Sequence, residues 1–170
     1  PYETVGSLII DAPFTAKPTS YRRDLDLNRA VATTKFEIGG VTYKREVIAS
    51  FTDKVVIVHI SASKPHSISF AASYDSPLPH TVSYEDGRLV MKGKCLEHEG
   101  VPGKVRVQTV MDVKNEGGKT EFTSSRLIVS NANDVVLYLS SATNFVNYHD
   151  ISGDEVVKSV TLLKNAMKKT

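Results

Sequence analysis

Residues 21–62 constrain the fold more than any other stretch, because four polar–apolar alternations follow one another with almost nothing between them. Ala32, Thr34, Phe36 and Ile38 fall on one face of an extended segment, and Thr33, Lys35 and Glu37 on the other. After Gly39 and Gly40, the residues Val41, Tyr43, Val47, Ala49 and Phe51 share a face opposite Thr42, Lys44 and Glu46. Alternation at period two marks a strand covered on one side only. Two adjacent glycines permit the positive φ angles of a tight hairpin. Val55, Val56, Val58 and Ile60 run nearly apolar on both faces, which suits a strand in the middle of a sandwich. A meander of this kind needs a second sheet to cover it.

The rest of the chain repeats the theme. Residues 5–10 form a short strand stopped by Asp11 and Pro13, and residues 14–20 form a loop. Residues 67–74, 81–84, 88–94 and 104–113 alternate again, with a strong hairpin signal at Glu85-Asp86-Gly87. A second Gly-Gly turn at 117–118 leads to short strands over 119–123, 126–130 and 134–142. Only after Gly153 does the period change. Val156, Val157, Val160, Leu163 and Met167 lie at helical spacing, with lysines opposite. About a dozen strands and then one helix predict an all-β fold: a large antiparallel two-sheet β-sandwich over residues 1–150, with a short helical linker over 151–170.

Composition excludes several classes of function. At 170 residues the chain is one domain with room for a core. Its net charge of +2 is spread thinly, so nucleic acid is not an expected partner. No apolar run approaches a membrane span, so no membrane partner is expected either. One cysteine, Cys95, cannot form an internal disulfide; it reads as a buried apolar residue. The opening on Pro1-Tyr2, without an initiator Met, reads as a fragment of a longer protein.

Residues with chemical potential each have an ordinary reading. Glu97-His98-Glu99 could hold a metal or move protons, but a polar loop is the simpler account, and no metal or cofactor is expected. Asp24 and Asp26, opposite Leu25 and Leu27, could accept from sugar hydroxyls, yet pairing with cross-strand Arg or Lys is commoner. His59 reads as a satisfied interior or interface histidine. No serine sits in a nucleophile elbow. No catalytic constellation emerges.

Read together, Tyr21-Arg22-Arg23-Asp24-Leu25-Asp26-Leu27-Asn28, Ala32-Thr33, Gly40-Val41-Thr42-Tyr43, Arg45-Glu46 and Ala49-Ser50 resemble the N-terminal β-domain of glycoside hydrolase family 95. The likeness returns at 115–118, 135–138 and 142–150. It implies a supersandwich-like β-domain, a helical linker and then an (α/α)6 barrel that carries the catalytic residues, chiefly for hydrolysis of α-1,2-linked L-fucose. It also implies β-strands upstream of Pro1, a secreted or periplasmic parent, the downstream barrel as partner, and fucosylated glycans reached through the parent enzyme. This chain would then catalyse nothing by itself.

The segment 142–150 stands apart. Phe145 and Tyr148 offer aromatic surface, while Asn144, Asn147, His149 and Asp150 offer donors and acceptors. Sugar sites and domain interfaces both use that mixture. The interface reading leads, because this segment joins the last strand to the linker helix. The alternative is an autonomous carbohydrate-binding module; with no Trp, its platform would have to come from Phe or from Tyr residues such as Tyr2 and Tyr148. The apolar stripe of the helix has no evident partner in a closed sandwich, and missing upstream strands would leave an open sheet edge, so self-association of the fragment is expected, by strand addition or by packing of the helix against another copy.

Overall fold

A computed structural model describes residues 3–169; Tyr2 lies outside them. Eight strands form the wide sheet. In spatial order they are β2 (Ser20–Asp26), β3 (Val31–Ile38), β4 (Val41–Ser50), β5 (Val55–Ala62), β12 (Asp134–Thr143), β9 (Arg106–Glu116), β8 (Arg88–Lys94) and β7 (His80–Glu85). Four more form the narrow sheet, in the order β1 (Ser7–Asp11), β6 (Ile68–Asp75), β11 (Leu127–Ala132) and β10 (Lys119–Phe122). Every pairing is antiparallel. The expected two-sheet all-β sandwich is what forms.

The meander over residues 21–62 becomes β2 to β5, in consecutive positions of the wide sheet. Gly39 and Gly40, at φ 60° and 69°, make the hairpin between β3 and β4, where a side chain would be strained. The apolar strand β5 sits next to β12, and the two are bonded from Val56↔Leu139 to Ser61↔Asp134. Alternation then sorts the core. Val58, Ile60, Leu89, Met111, Val135 and Leu137 from the wide sheet meet Ile68, Phe70, Ala72, Leu127 and Val129 from the narrow one.

The C-terminal helix α1 (Glu155–Met167) departs from expectation. Its apolar stripe is not free: it lies on the outer face of the wide sheet, where buried Leu163 packs with Val90, Val110 and Tyr138, flanked by Val160 and Met167. Even-numbered residues of β9 and β12 point to this side, so these strands are covered on both faces. That explains why Tyr138 and Val110 are buried although they alternate with core residues. Asp154 caps the helix, its carboxylate accepting from the N–H groups of Val156 and Val157 at 2.9 Å each. Among the described residues, four strands of the narrow sheet face eight of the wide one.

Candidate functional site

The segment 144–151 is a compact loop built on one buried side chain. Asn144 is fully buried; its Oδ1 accepts from Arg106 N at 2.7 Å and its Nδ2 donates to Ile151 O at 2.9 Å. Its carbonyl accepts from Gly153 N at 3.0 Å. Asn144 is therefore a staple that closes the loop on β9, and its amide is not available to a sugar. Asn147 and Asp150 exchange backbone hydrogen bonds of 3.1 and 3.0 Å, and the Asn147 side chain accepts from His149 N at 2.9 Å. Asp150 accepts from Ser152 N at 2.8 Å, and hydrogen bonds from the Ser152 side chain and backbone hold its carboxyl below the usual range.

With the polar groups turned inward to the loop, the aromatic ones face out. Phe145 is 46% exposed and Tyr148 is 85% exposed, its ring 3.8 Å from that of His149. Val146 and Ile151 are exposed beside them. So the structure brings the six candidates into one loop but splits them: Asn144, Asn147 and Asp150 build it, and Phe145, Tyr148 and His149 present it.

Register extends this surface beyond what the sequence pattern indicated. Lys94 pairs with Arg106, and Thr143 with Val107, so the β8–β9 loop leaves the sheet at the same end as the 144–151 loop. Leu96 and Val101 are exposed on it. The β2–β3 and β4–β5 turns emerge at that end too, with Leu27 82% and Phe51 92% exposed. Val156 and Val157, on the first turn of α1, add to it. The opposite end differs. Its turns are Gly39-Gly40, Lys64-Pro65-His66, Asp86-Gly87 and Gly117-Gly118, and of the exposed rings near them Phe14 packs edge-on against Phe36 and Tyr43 while Tyr84 stacks on Phe122. One end of the sandwich is apolar at its turns and the other is not. A scattered exposed Leu is ordinary, but a concentration at one end marks a surface meant to be covered.

The remaining candidates take ordinary places. Asp24 pairs with Arg22 along its own strand, at 2.7 Å, rather than across strands. Asp26 accepts from the N–H groups of Asn28 and Arg29 in the turn. His59 lies on the outer face, 2.7 Å from Asp134 and 3.7 Å from Glu46. Glu97, His98 and Glu99 are exposed, and no cluster of three metal-ligating side chains occurs among the described residues. Burial, with a contribution from Glu3, pushes the Cys95 thiol up to about 11, which disfavours the thiolate.

Comparison with known proteins places this architecture. The chain is 30% identical over 171 residues to an alpha-L-fucosidase 2 of Arabidopsis thaliana, covering 85% of this chain and 20% of the relative. It is 28% identical over 149 residues to a protein provisionally named alpha-fucosidase A from Aspergillus niger, covering 85% of this chain and 18% of that one. The chain thus spans about a fifth of the curated relatives it matches. A solved chain from human microbiome, provisionally described as a kojibiose phosphorylase, superposes with a TM-score of 0.58 at 12% identity. That match covers 98% of this chain and 26% of the solved one, and it shows the fold. Residues 1–148 match the model described as glycosyl hydrolase family 65, N-terminal domain, a description that shares the expected domain type but not the number 95. The chain belongs to this family of glycosyl hydrolase N-terminal domains.

Proposed function

We propose that this chain is the non-catalytic N-terminal β-domain of a glycosidase resembling family 95 α-L-fucosidases, and that its apolar end seats against the catalytic barrel. The fucosidase names of the two curated relatives support the substrate class, and their length leaves room for a barrel. The observation that carries the docking is the gathering of Leu27, Phe51, Leu96, Phe145 and Tyr148 at one end of the sandwich. Fucosylated glycans would be met through the parent enzyme, whose entrance this end would help to wall. The test is made in the parent polypeptide. Phe145→Ser with Tyr148→Ala should separate the melting of the β-domain from that of the barrel, and unchanged single-transition melting would remove the docking surface. Separately, the 170-residue chain should release no fucose from an α-1,2-fucosylated oligosaccharide.

The exposed Tyr148 ring also favours a second reading, an autonomous carbohydrate-binding module. Titration calorimetry of the chain with fucosylated glycans separates the two. Saturable heat that vanishes in Tyr148→Ala supports the module; absence of heat supports the interface.

A further inference from the structure

The turn that carries Phe51 is tied to the C-terminal end of α1. Between β4 and β5, Lys54 N donates to Ser50 O at 2.9 Å, Asp53 N donates to Ser50 Oγ at 3.1 Å, and Ser50 Oγ donates to Asp53 Oδ2 at 2.9 Å. The other carboxylate oxygen of Asp53 accepts from Lys169 Nζ. Lys169 belongs to the end of the helix, since its N–H donates to Ala166 O at 3.1 Å. A second anchor holds the same helix end from β9, where Lys114 Nζ donates to Met167 O. Strands β5 and β12 separate the two anchors, so the end of α1 is held both from β9 and from the β4–β5 turn. Among the described residues, Asp53 pairs with no other cation and Lys169 with no other acid. Only 24% of the Asp53 side chain is exposed, and the hydrogen bond from Lys169, followed by that from Ser50, holds its carboxyl below the usual range.

We propose that Lys169 and Asp53 form a clasp through which the end of α1 and the Phe51 turn order each other. Packing fixes neither tip: Phe51 is 92% exposed, and Lys168 and Lys169 follow the last helical residue at the surface. Segments of this kind open locally at small cost, without global unfolding. An exposed ion pair adds little to the stability of a whole domain, but it is comparable with such a local opening. Closing the clasp sets the Lys169 side chain against a carboxylate that Ser50 already orients, and opening either side releases the other. The consequence for the apolar end rests on the docking reading above. A Phe51 turn ordered in advance loses less freedom when a barrel covers it, which favours seating. The clasp thus links the seat of the helix on the outer face to the readiness of an anchor at the end of the sandwich.

Amide hydrogen exchange on the 170-residue chain tests the coupling from both sides. Asp53→Asn keeps the size of the side chain and removes its charge, and it should lower the protection of the Lys169 amide. Lys169→Met should lower the protection of the Asp53 and Lys54 amides by about two- to fivefold, the scale of an exposed ion pair. It should also lower the order parameter of the Phe51 amide. The double variant should lose no more protection at Asp53 and Lys54 than the more affected single variant, and Lys169→Arg should match the unaltered chain. Amides of β12, in the middle of the sheet, should exchange alike in all of them. Unchanged protection at Asp53 and Lys54 in Lys169→Met, or additive losses in the double variant, overturns the clasp. The measurement needs no barrel, so its failure leaves the docking reading to its own melting test, and a failed docking test leaves the coupling in place.

Discussion

Arg106 Nε lies 2.6 Å from Glu155 Oε1, and this pair starts a register between β9 and α1 that continues along the helix. Two strand residues later Gln108 Nε2 donates to Ser159 Oγ at 3.0 Å, and Val110 then packs against Leu163. Lys114 Nζ finally donates to Met167 O at 2.9 Å, at the helix C-terminus, where a cation is favoured. Four helical residues advance about 6.0 Å and two strand residues roughly 6.8 Å, so the two repeats stay nearly in step. The helix is thus part of the domain's outer layer.

The Arg106 pair makes that docking depend on pH. The hydrogen-bonded guanidinium holds the Glu155 carboxyl below the ordinary glutamate range. A carboxyl depressed in the folded state contributes stability above its unfolded pKa, about 4.3, and loses it as pH falls through the folded value. Glu155→Gln should therefore melt at a lower temperature than the parent chain at pH 7, with the gap closing below pH 4. Melting curves across that range check it; a gap independent of pH would mean that the carboxylate charge is not what holds the helix.

Deeper in the seam, the losses are larger. Ser159→Ala strands the buried Gln108 amide and should cost about 1–3 kcal/mol. Leu163→Ala empties a fully buried site against Val110 and Tyr138 and should cost about 2–5 kcal/mol. Val157→Ala, at an exposed position on the same helix, should stay within about 0.5 kcal/mol. Urea unfolding of the three variants tests the ranking.

Asn144 and Tyr148 lie four residues apart and should behave oppositely. Asn144→Ala removes the staple and leaves Arg106 N and Ile151 O without those partners, so it should destabilise the isolated chain by about 1–3 kcal/mol. Tyr148→Ala should change the isolated chain by less than about 0.5 kcal/mol while weakening the proposed contact with a barrel in the parent polypeptide. If Tyr148→Ala destabilised the isolated chain as much as Asn144→Ala, the tyrosine would be a structural group and not an interface group.

These residues also show where sequence reading reached its limit. Period-two alternation and paired glycines placed β2 to β5, because the covered face and the turn chemistry are both local. The helical stripe after Gly153 was equally legible. The partner of that stripe was not, because apolar outer residues such as Val110 and Tyr138 merely make β9 and β12 look like central strands. Nor could local pattern show that β5 would pair with β12, far along the chain, which is a matter of non-local pairing. Asn144 read as a donor and acceptor for a domain interface or a sugar, because an amide's composition carries no sign of whether backbone groups already satisfy it. Leu27, Phe51, Leu96 and Val101 are scattered in sequence, and only the register gathers them at one end.

The covered helix bears on one of the two expected routes to self-association, packing of α1 against another copy. Val160, Leu163 and Met167 are spent on the chain's own sheet, so α1 offers a second copy little beyond Val156 and Val157. Ending the chain at Ser152 would instead uncover Val90, Val110 and Tyr138 in the middle of the wide sheet. Burying such surface is worth roughly 25 cal/mol per Å², so the uncovered face favours association. Light scattering should find the shortened chain more associated than the 170-residue chain at equal concentration. Association confined to the 170-residue chain would show that the helix itself bridges two copies and that its seat on β9 and β12 yields to a partner.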